Sequence, residues 1–459
     1  MPTVLERFSS YAVTLREAPL PPEALHHARR SVLDWFAAAI PGGMEAPATL
    51  LVEALAEELD RGRAQLVPSG RRTTARTAAL VNGAASHTIE FDDIFRDAIY
   101  HPGVVTVPAA LALAQTRGLG GEALLRAVIA GYEVGTRIGA AVNPAHYKFW
   151  HTTATVGCFG AAAAASAALG LDAARTAHAM ANAGTMAAGL QQAFRTECMS
   201  KPMHAAHAAE VGVTCALGAA RGLTGALDIL EGERGFAAAM CKDPDWEAAL
   251  ASLGRHFNIT QMTQKNHSAC GHIHAAIDAV LVLKAEHGLT PERVKRIVAR
   301  TYRTALEVAG IKNPHTVFEA KFSLPYCLAA ALAVGSVRVD AFSAERLGDP
   351  AIRSLLERVE MEVEPKLDAS FPKQRAAVVE IETVDGQRFR HFAPTRKGDP
   401  DAPLSDAELQ DKARELIAPV LGPLPTAQLL ETLWTLERVR DLSDLVPEVS
   451  GARLAGAAQ

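Results

Sequence analysis

Between His87 and His207 the chain alternates apolar stretches of Ala, Gly, Leu and Val with short polar knots. The first knot is His87-Thr-Ile-Glu-Phe-Asp92-Asp93, followed by His101-Pro102-Gly103. The second is Phe149-Trp150-His151-Thr152-Thr153, which opens into Gly157-Cys-Phe-Gly160 and the run Ala161 to Ala165. The third is Met199-Ser200-Lys201-Pro202-Met203-His204. Small side chains let neighbouring helices close in on one another, so such stretches are confined to dense helical packing. Polar groups set where these helices begin and end describe a pocket between them.

Read in order, periodic apolar positions and Gly or Pro stops predict helices over 24–40, 46–58, 75–92, 104–119, 122–141, 153–169, 172–188 and 202–221. None of these segments shows the alternation of a strand. The character changes after about residue 265. A helix is predicted at 271–287, and the β-branched run Val294 to Tyr302 and the alternating Met361 to Glu364 read as strands. Ala377–Val384 and Gln387–Phe392 flank Asp385-Gly386, the signature of a hairpin with a type I′ turn. Helices at 319–335 and 350–358 lie between those strands. Arg396 to Pro403 reads as a linker, and Ser405-x-x-Glu408 is a capping box opening helices that run to about 447. The tail 450–459 is expected to fray. A chain of 459 residues exceeds one ordinary core. The expected fold is therefore mainly α. A large all-helical domain spans 1–265, a smaller α+β domain spans 266–395, and the helices of 396–459 return to the first domain.

Composition removes several classes of function. A net charge of −5 and a pI near 6.4 give no field for nucleic acid or an anionic membrane. The six cysteines are scattered without a Cys-x-x-Cys pair, which argues against a zinc ribbon, an iron–sulfur cluster or a disulfide framework. The first residues lack a basic region followed by an apolar run, so no signal peptide is expected, and no uninterrupted stretch reads as a membrane span. The expectation is a soluble, cytoplasmic protein with reduced thiols.

Several residue sets could carry chemistry. Asp92 and Asp93, with His101 nearby, could share a proton or orient the imidazole, whereas solvated acids at a helix end are the plainer alternative. His151 precedes a helix, where it could move a proton, hold a carboxylate or simply cap. Lys201 beside helix N–H groups could clamp a carboxylate. His204 and His207 share a helical face, but Glu210 points elsewhere, so a metal there is not expected. His267, Cys270, His274 and Asp278 would line one face of a continuous helix with ligand types suited to zinc. Ser268 and Gly271 delay that helix and scatter the set, so packing is the preferred reading. Lys265, Lys321 and Tyr326 could bind or protonate an oxygen leaving group. No P-loop, dinucleotide fingerprint or nucleophile elbow occurs in a supporting context.

In their order and spacing these segments resemble the MmgE/PrpD family of 2-methylcitrate dehydratases and cis-aconitate decarboxylases. The resemblance rests on the His87-x-x-Glu-Phe-Asp92-Asp93 knot, His101-Pro-Gly, His151-x-Thr, Lys201-Pro-x-His204 and Leu230-Glu-Gly232, then on Glu319-Ala-Lys321-Phe-Ser323-x-x-Tyr326 and Lys397-Gly-x-Pro. It covers roughly 5–450. It implies a helical domain made from both chain ends with an α+β lid inserted, a homodimer, an interdomain active site, and no metal or organic cofactor. Asp93, His101, His151 and Tyr326 would then be catalytic, with Asp93 orienting His101 and Tyr326 protonating the departing group. Asp92, Lys201, His204, Lys265 and Lys321 would bind a small polycarboxylate. After the lysine, Asn-His267-Ser-Ala-Cys270 departs from the aromatic-Pro-x-Cys usual in the family, and Glu90 stands where Asp is commoner. The expected activity is that of a cofactor-independent lyase, first a 2-methylcitrate dehydratase-like hydro-lyase. Cis-aconitate decarboxylation and epimerisation of an iminodisuccinate type are alternatives, and a binding homologue without chemistry is a rival of another class.

Overall fold

The computed structural model describes residues 1–446 apart from 195 and 197, so the tail at 450–459 lies outside the described residues. The chain divides into two compact units, one of Met1–Thr263 with the chain from Ser405, the other of Gln264–Leu404.

The first unit is built from long helices whose ends follow local chemistry. α1 (Val4–Thr14) starts at a Thr3–Glu6 capping box, and α2 (Pro22–Gly42) has Pro at its first position. α3 (Ala75–Thr88) is capped by Thr74. α4 (Gly103–Arg117) and α6 (Thr152–Leu169) each end at a glycine with left-handed φ, Gly118 and Gly170. α5 (Gly121–Val142), α7 (Ala173–Thr185) and α8 (Ser200–Ala219) complete the packing.

α6 is the centre of this unit and touches α4, α5, α7 and α8. All of its Ala, Gly, Val and Phe residues except Ala167 are buried. Among the described residues it is also the one helix long and apolar enough to cross a bilayer, and it is buried inside the protein. Burying a methyl group contributes only about 0.8 kcal/mol, so cohesion here comes from close approach more than from side-chain size. Glycine sets that approach. A Cβ on Gly212 of α8 would stand 2.6 Å from the Ala161 backbone, and one on Gly131 of α5 would stand 2.7 Å from the Gly160 carbonyl.

The all-helical expectation needs one correction. β1 (Leu59–Gln65) pairs antiparallel with the short β2 (Arg72–Thr73) in the first unit. The sequence Leu-Asp-Arg-Gly-Arg-Ala-Gln has neither alternation nor β-branched residues, so neither propensity nor pattern announces a strand.

In the second unit α9 (His274–His287) comes first, later than the predicted 271 start, and ends at Gly288. β3 (Val294–Thr301), α10 (Leu324–Val334), β4 (Val359–Val363), β5 (Ala377–Thr383) and β6 (Arg388–Ala393) follow. The sheet order is β4-β3-β5-β6, with β3 and β4 parallel and the other pairs antiparallel. Val294, Ile297, Ala299, Val379 and Ile381 join the buried core with α9 and α10. On the opposite face Arg296 pairs with Glu360, and Arg300 with Glu362 at 2.7 Å. The predicted type I′ turn is not formed, because of Asp385 and Gly386 only Gly386 has positive φ (+86°). Gly386 N–H closes the turn on the Thr383 carbonyl, and Thr383 N–H donates to Gln387 one residue further on. Asp385 instead accepts a bond from the Thr383 hydroxyl.

α11 (Asp406–Leu421) opens at the predicted Ser405–Glu408 capping box and packs on α2, with α12 (Pro423–Trp434) behind it.

Candidate active site

The first knot leaves α3 at Thr88 and runs to the start of α4 in an irregular path. Glu90 and Ile99 both adopt left-handed φ, +61° and +47°. Such conformations cost of order 1–3 kcal/mol in non-glycine residues and concentrate at functional sites.

That path delivers a buried imidazole cluster. Asp92 Oδ2 lies 2.6 Å from Nδ1 of His101 and 2.9 Å from Nδ1 of His87. The His87 ring is placed to donate to the carboxylate through Nδ1, and the His101 imidazole meets the same oxygen at ion-pair distance. Nε2 of His87 is buried without a hydrogen-bond partner. The His87 ring stacks on His151, with centroids 5.6 Å apart and planes 12° from parallel, and His101 stands 6.4 Å from His151. The His101 N–H donates to the Thr153 hydroxyl at 3.2 Å.

His151 is the N-cap residue of α6, and its backbone N–H donates to Gly189. Its Nδ1 is 3.1 Å from Nδ1 of His204 in the first turns of α8. Burial, followed by the neighbouring His87 and His204 imidazoles, holds the His151 imidazole well below its ordinary range. His204 is pushed down to about 4 by burial and by His87 and Lys201. Lys201 pairs with Glu90 and lies 5.6 Å from the Phe194 ring. α8 begins at Ser200, so Pro202 is its third residue and not its first. An open pocket of about 540 Å³ is lined by Gly189, Met199, Ser200, Met203, His204 and His207, with Ala188.

The structure corrects the expectation that Asp93 orients His101. Asp93 turns away, accepting from the Gly103 N–H at 3.0 Å and from the Tyr132 hydroxyl at 2.7 Å. Burial and the nearby Asp34 charge raise its carboxyl to about 8, so it is protonated at neutral pH. Asp92, expected to bind substrate, is the carboxylate that meets His101, at 2.6 Å.

The remaining expected residues belong to the second unit. Tyr326 is fully buried and its hydroxyl donates to the Ala341 carbonyl at 2.6 Å. In this structure its hydroxyl proton is directed at the main chain. Lys265 is buried, and the Lys321 ammonium lies 5.9 Å from the Phe342 ring. His267 bonds Asp278 at 2.8 Å, while His274 Nε2 bonds the Ala269 carbonyl. α9 starts at His274, as the delaying Ser268 and Gly271 predict, and the His267 ring lies 5.1 Å from that of His274.

Among the described residues one group has metal-ligand spacing: His87, Asp92 and His101, with ligand atoms within 4.8 Å of one another. Two ligands on a tetrahedral ion with bonds of about 2.0–2.1 Å stand about 3.3 Å apart. Asp92 Oδ2 stands closer than that to both imidazoles, at 2.6 and 2.9 Å.

Sequence reasoning gave no role to His87, Tyr132, Asp34 or Lys412. Lys412 of α11 is fully buried and donates to Asp34 of α2 at 2.6 Å and to the Phe91 carbonyl at 2.9 Å. It clamps the first knot from behind. His87 had a signal, since it opens the knot five residues before Asp92. Lys412 had none, because Lys-Ala-Arg-Glu reads as an ordinary helix surface.

Comparison with known families matches residues 6–249 to the MmgE/PrpD N-terminal domain and residues 267–437 to the MmgE/PrpD C-terminal domain. The chain belongs to the MmgE/PrpD family. Similar proteins include the human cis-aconitate decarboxylase, 30% identical over 82% of this chain and 79% of the relative. The cis-aconitate decarboxylase-like protein oryM of Aspergillus oryzae is 26% identical over 98% of this chain and 97% of the relative. The cis-aconitate decarboxylase of Aspergillus terreus is 24% identical over 96% and 95%. A lyase activity fits this membership of the MmgE/PrpD family.

Proposed function

We propose that the protein is a carboxy-lyase that removes CO2 from cis-aconitate or a close tricarboxylate. The observation that carries this reading is the Asp92–His101 contact of 2.6 Å, set beside His151 in a buried cluster. The decarboxylase names of the similar chains support it over the hydro-lyase expected from the sequence.

The chemistry can be written with groups of the first unit. Loss of CO2 from the –CH2–CO2⁻ arm of cis-aconitate breaks that C–C bond. Its electron pair forms a new double bond to the central carbon. The old double-bond pair moves to the far carbon, which takes one proton. Negative charge therefore builds on a carbon flanked by a carboxylate, and a fixed cation and hydrogen-bond donors are what it requires. Lys201, leaving Glu90, would hold a substrate carboxylate. Nε2 of His101 or His151 would deliver the proton. Protonated Asp93 keeps a second negative charge away from Asp92.

Incubating the purified protein with cis-aconitate, 2-methylcitrate, citrate and iminodisuccinate, with NMR readout, tests the reading. Conversion of cis-aconitate to methylenesuccinate and CO2 is expected. Consumption of 2-methylcitrate or iminodisuccinate with cis-aconitate untouched would overturn it.

A further inference from the structure

A single carboxylate oxygen, Oδ2 of Asp92, meets two imidazoles, with Nδ1 of His87 at 2.9 Å and Nδ1 of His101 at 2.6 Å. His87 lies in the last turn of α3 and is fully buried. Its ring stacks on His151 and stands 4.8 Å from that of His101 with planes 66° apart, so it is held on two sides. Its Nε2 has no hydrogen-bond partner. A buried nitrogen left that way costs stability, and an apolar side chain would fill the space without the cost. What a histidine adds at this position is the Nδ1 bond to Asp92. The other charged groups around the knot are matched elsewhere: Glu90 with Lys201, Asp34 with Lys412, and Asp93 with the Tyr132 hydroxyl, while His151 meets His204.

We propose that His87 is a positioning residue that shares Asp92 with His101 and keeps the His101 imidazole ready to give up its proton. The proposal rests on the reading that Nε2 of His101 delivers the proton to the substrate carbon. A hydrogen bond donated to a carboxylate oxygen draws off part of its charge. Asp92 then anchors protonated His101 less tightly than a carboxylate facing that ring alone. A cationic His87 acts in the same sense, by repelling the charge on His101. Without His87 the oxygen keeps more of its charge, the imidazolium is favoured, and its proton leaves less readily. No bond to substrate is made or broken at His87 itself.

The sharing predicts a defect that a packing role would not produce. His87→Leu and His87→Met fill the space and remove the donor, whereas His87→Asn places an amide N–H where Nδ1 stands. Both apolar variants should lose about fivefold or more in kcat on cis-aconitate with KM little changed, and His87→Asn should regain most of the loss. Native kcat in the apolar variants, a loss carried by KM, or an Asn variant no better than the apolar ones would overturn the proposal. A second readout does not depend on turnover. In ¹⁵N-histidine-labelled protein at neutral pH, the His101 ring nitrogens of His87→Leu should move toward their protonated positions, with those of His87→Asn staying near native. Unmoved His101 signals in His87→Leu would overturn the proposal as well. If the signals move but the native protein releases no CO2 from cis-aconitate, the sharing of Asp92 stands and the substrate reading fails.

Discussion

His101 meets Asp92, and not the adjacent Asp93, with Nδ1 and Oδ2 2.6 Å apart. A carboxylate in that position fixes which nitrogen carries the proton and stabilises the imidazolium that forms during transfer. Asp92→Asn and His101→Ala should therefore each lower kcat by about 10²-fold or more, while Asp93→Asn should lower it less. Steady-state kinetics on cis-aconitate decides. Equal losses for the two Asn variants would return Asp93 to the orienting role.

Asp93 should instead appear in the pH dependence of stability. Its folded pKa, raised from 3.8 to about 8, means that the folded chain holds a proton the unfolded chain has released. The stabilisation from this group is fully present below about pH 4 and is lost as pH rises through about 8. Between those values the native protein should lose stability relative to Asp93→Asn by on the order of a few kcal/mol. Urea denaturation of both at pH 5 and pH 8 measures the difference, and parallel pH profiles would refute the assignment.

Lys412 and Asp34 form an ion pair with both side chains fully buried. Replacing only the lysine strands a carboxylate whose pKa burial already raises. Lys412→Met should cost about 3–5 kcal/mol, and adding Asp34→Asn should recover much of it. Denaturation midpoints report both. A single-variant loss under about 1 kcal/mol, within the range of an exposed pair, would contradict the clamp.

Gly212 tests the close approach of α8 to α6. A Cβ there would stand 2.5 Å from that of Ala161, so Gly212→Ala should destabilise by about 1–3 kcal/mol. Gly348, whose Cβ would meet nothing within 4 Å, serves as the control, with little or no loss expected on Gly348→Ala. Similar melting temperatures for the two variants would show that the helices can part at no cost.

The helices were legible because their signals are local. Thr74, Gly118, Gly170 and the Ser405–Glu408 box act over a few residues, and boundaries set by them fall close to prediction. β1 was hidden because its pairing depends on context and not on β-branched residues. Of the residues that the knots singled out, His101, His151 and His204 come together. The choice between Asp92 and Asp93 was not legible. Two adjacent acids in an irregular segment diverge according to backbone angles, such as φ at Glu90, that the sequence does not reveal. Lys412 was invisible for a different reason. Its partners Asp34 and Phe91 are more than 300 positions away, and nothing in its own helix marks it as interior.

That separation has a consequence for biosynthesis. A ribosome emits Asp34 and the first knot long before it reaches Lys412, and residues 264–404, a compact unit of their own, emerge in between. The inserted unit can mature while the nascent chain is still attached, but the first unit must wait without the lysine that pairs with Asp34 until α11 is released. A chain arrested just short of residue 412 would thus present the histidine residues of the site without the clamp that sets them, an immature form for chaperones and proteases to recognise.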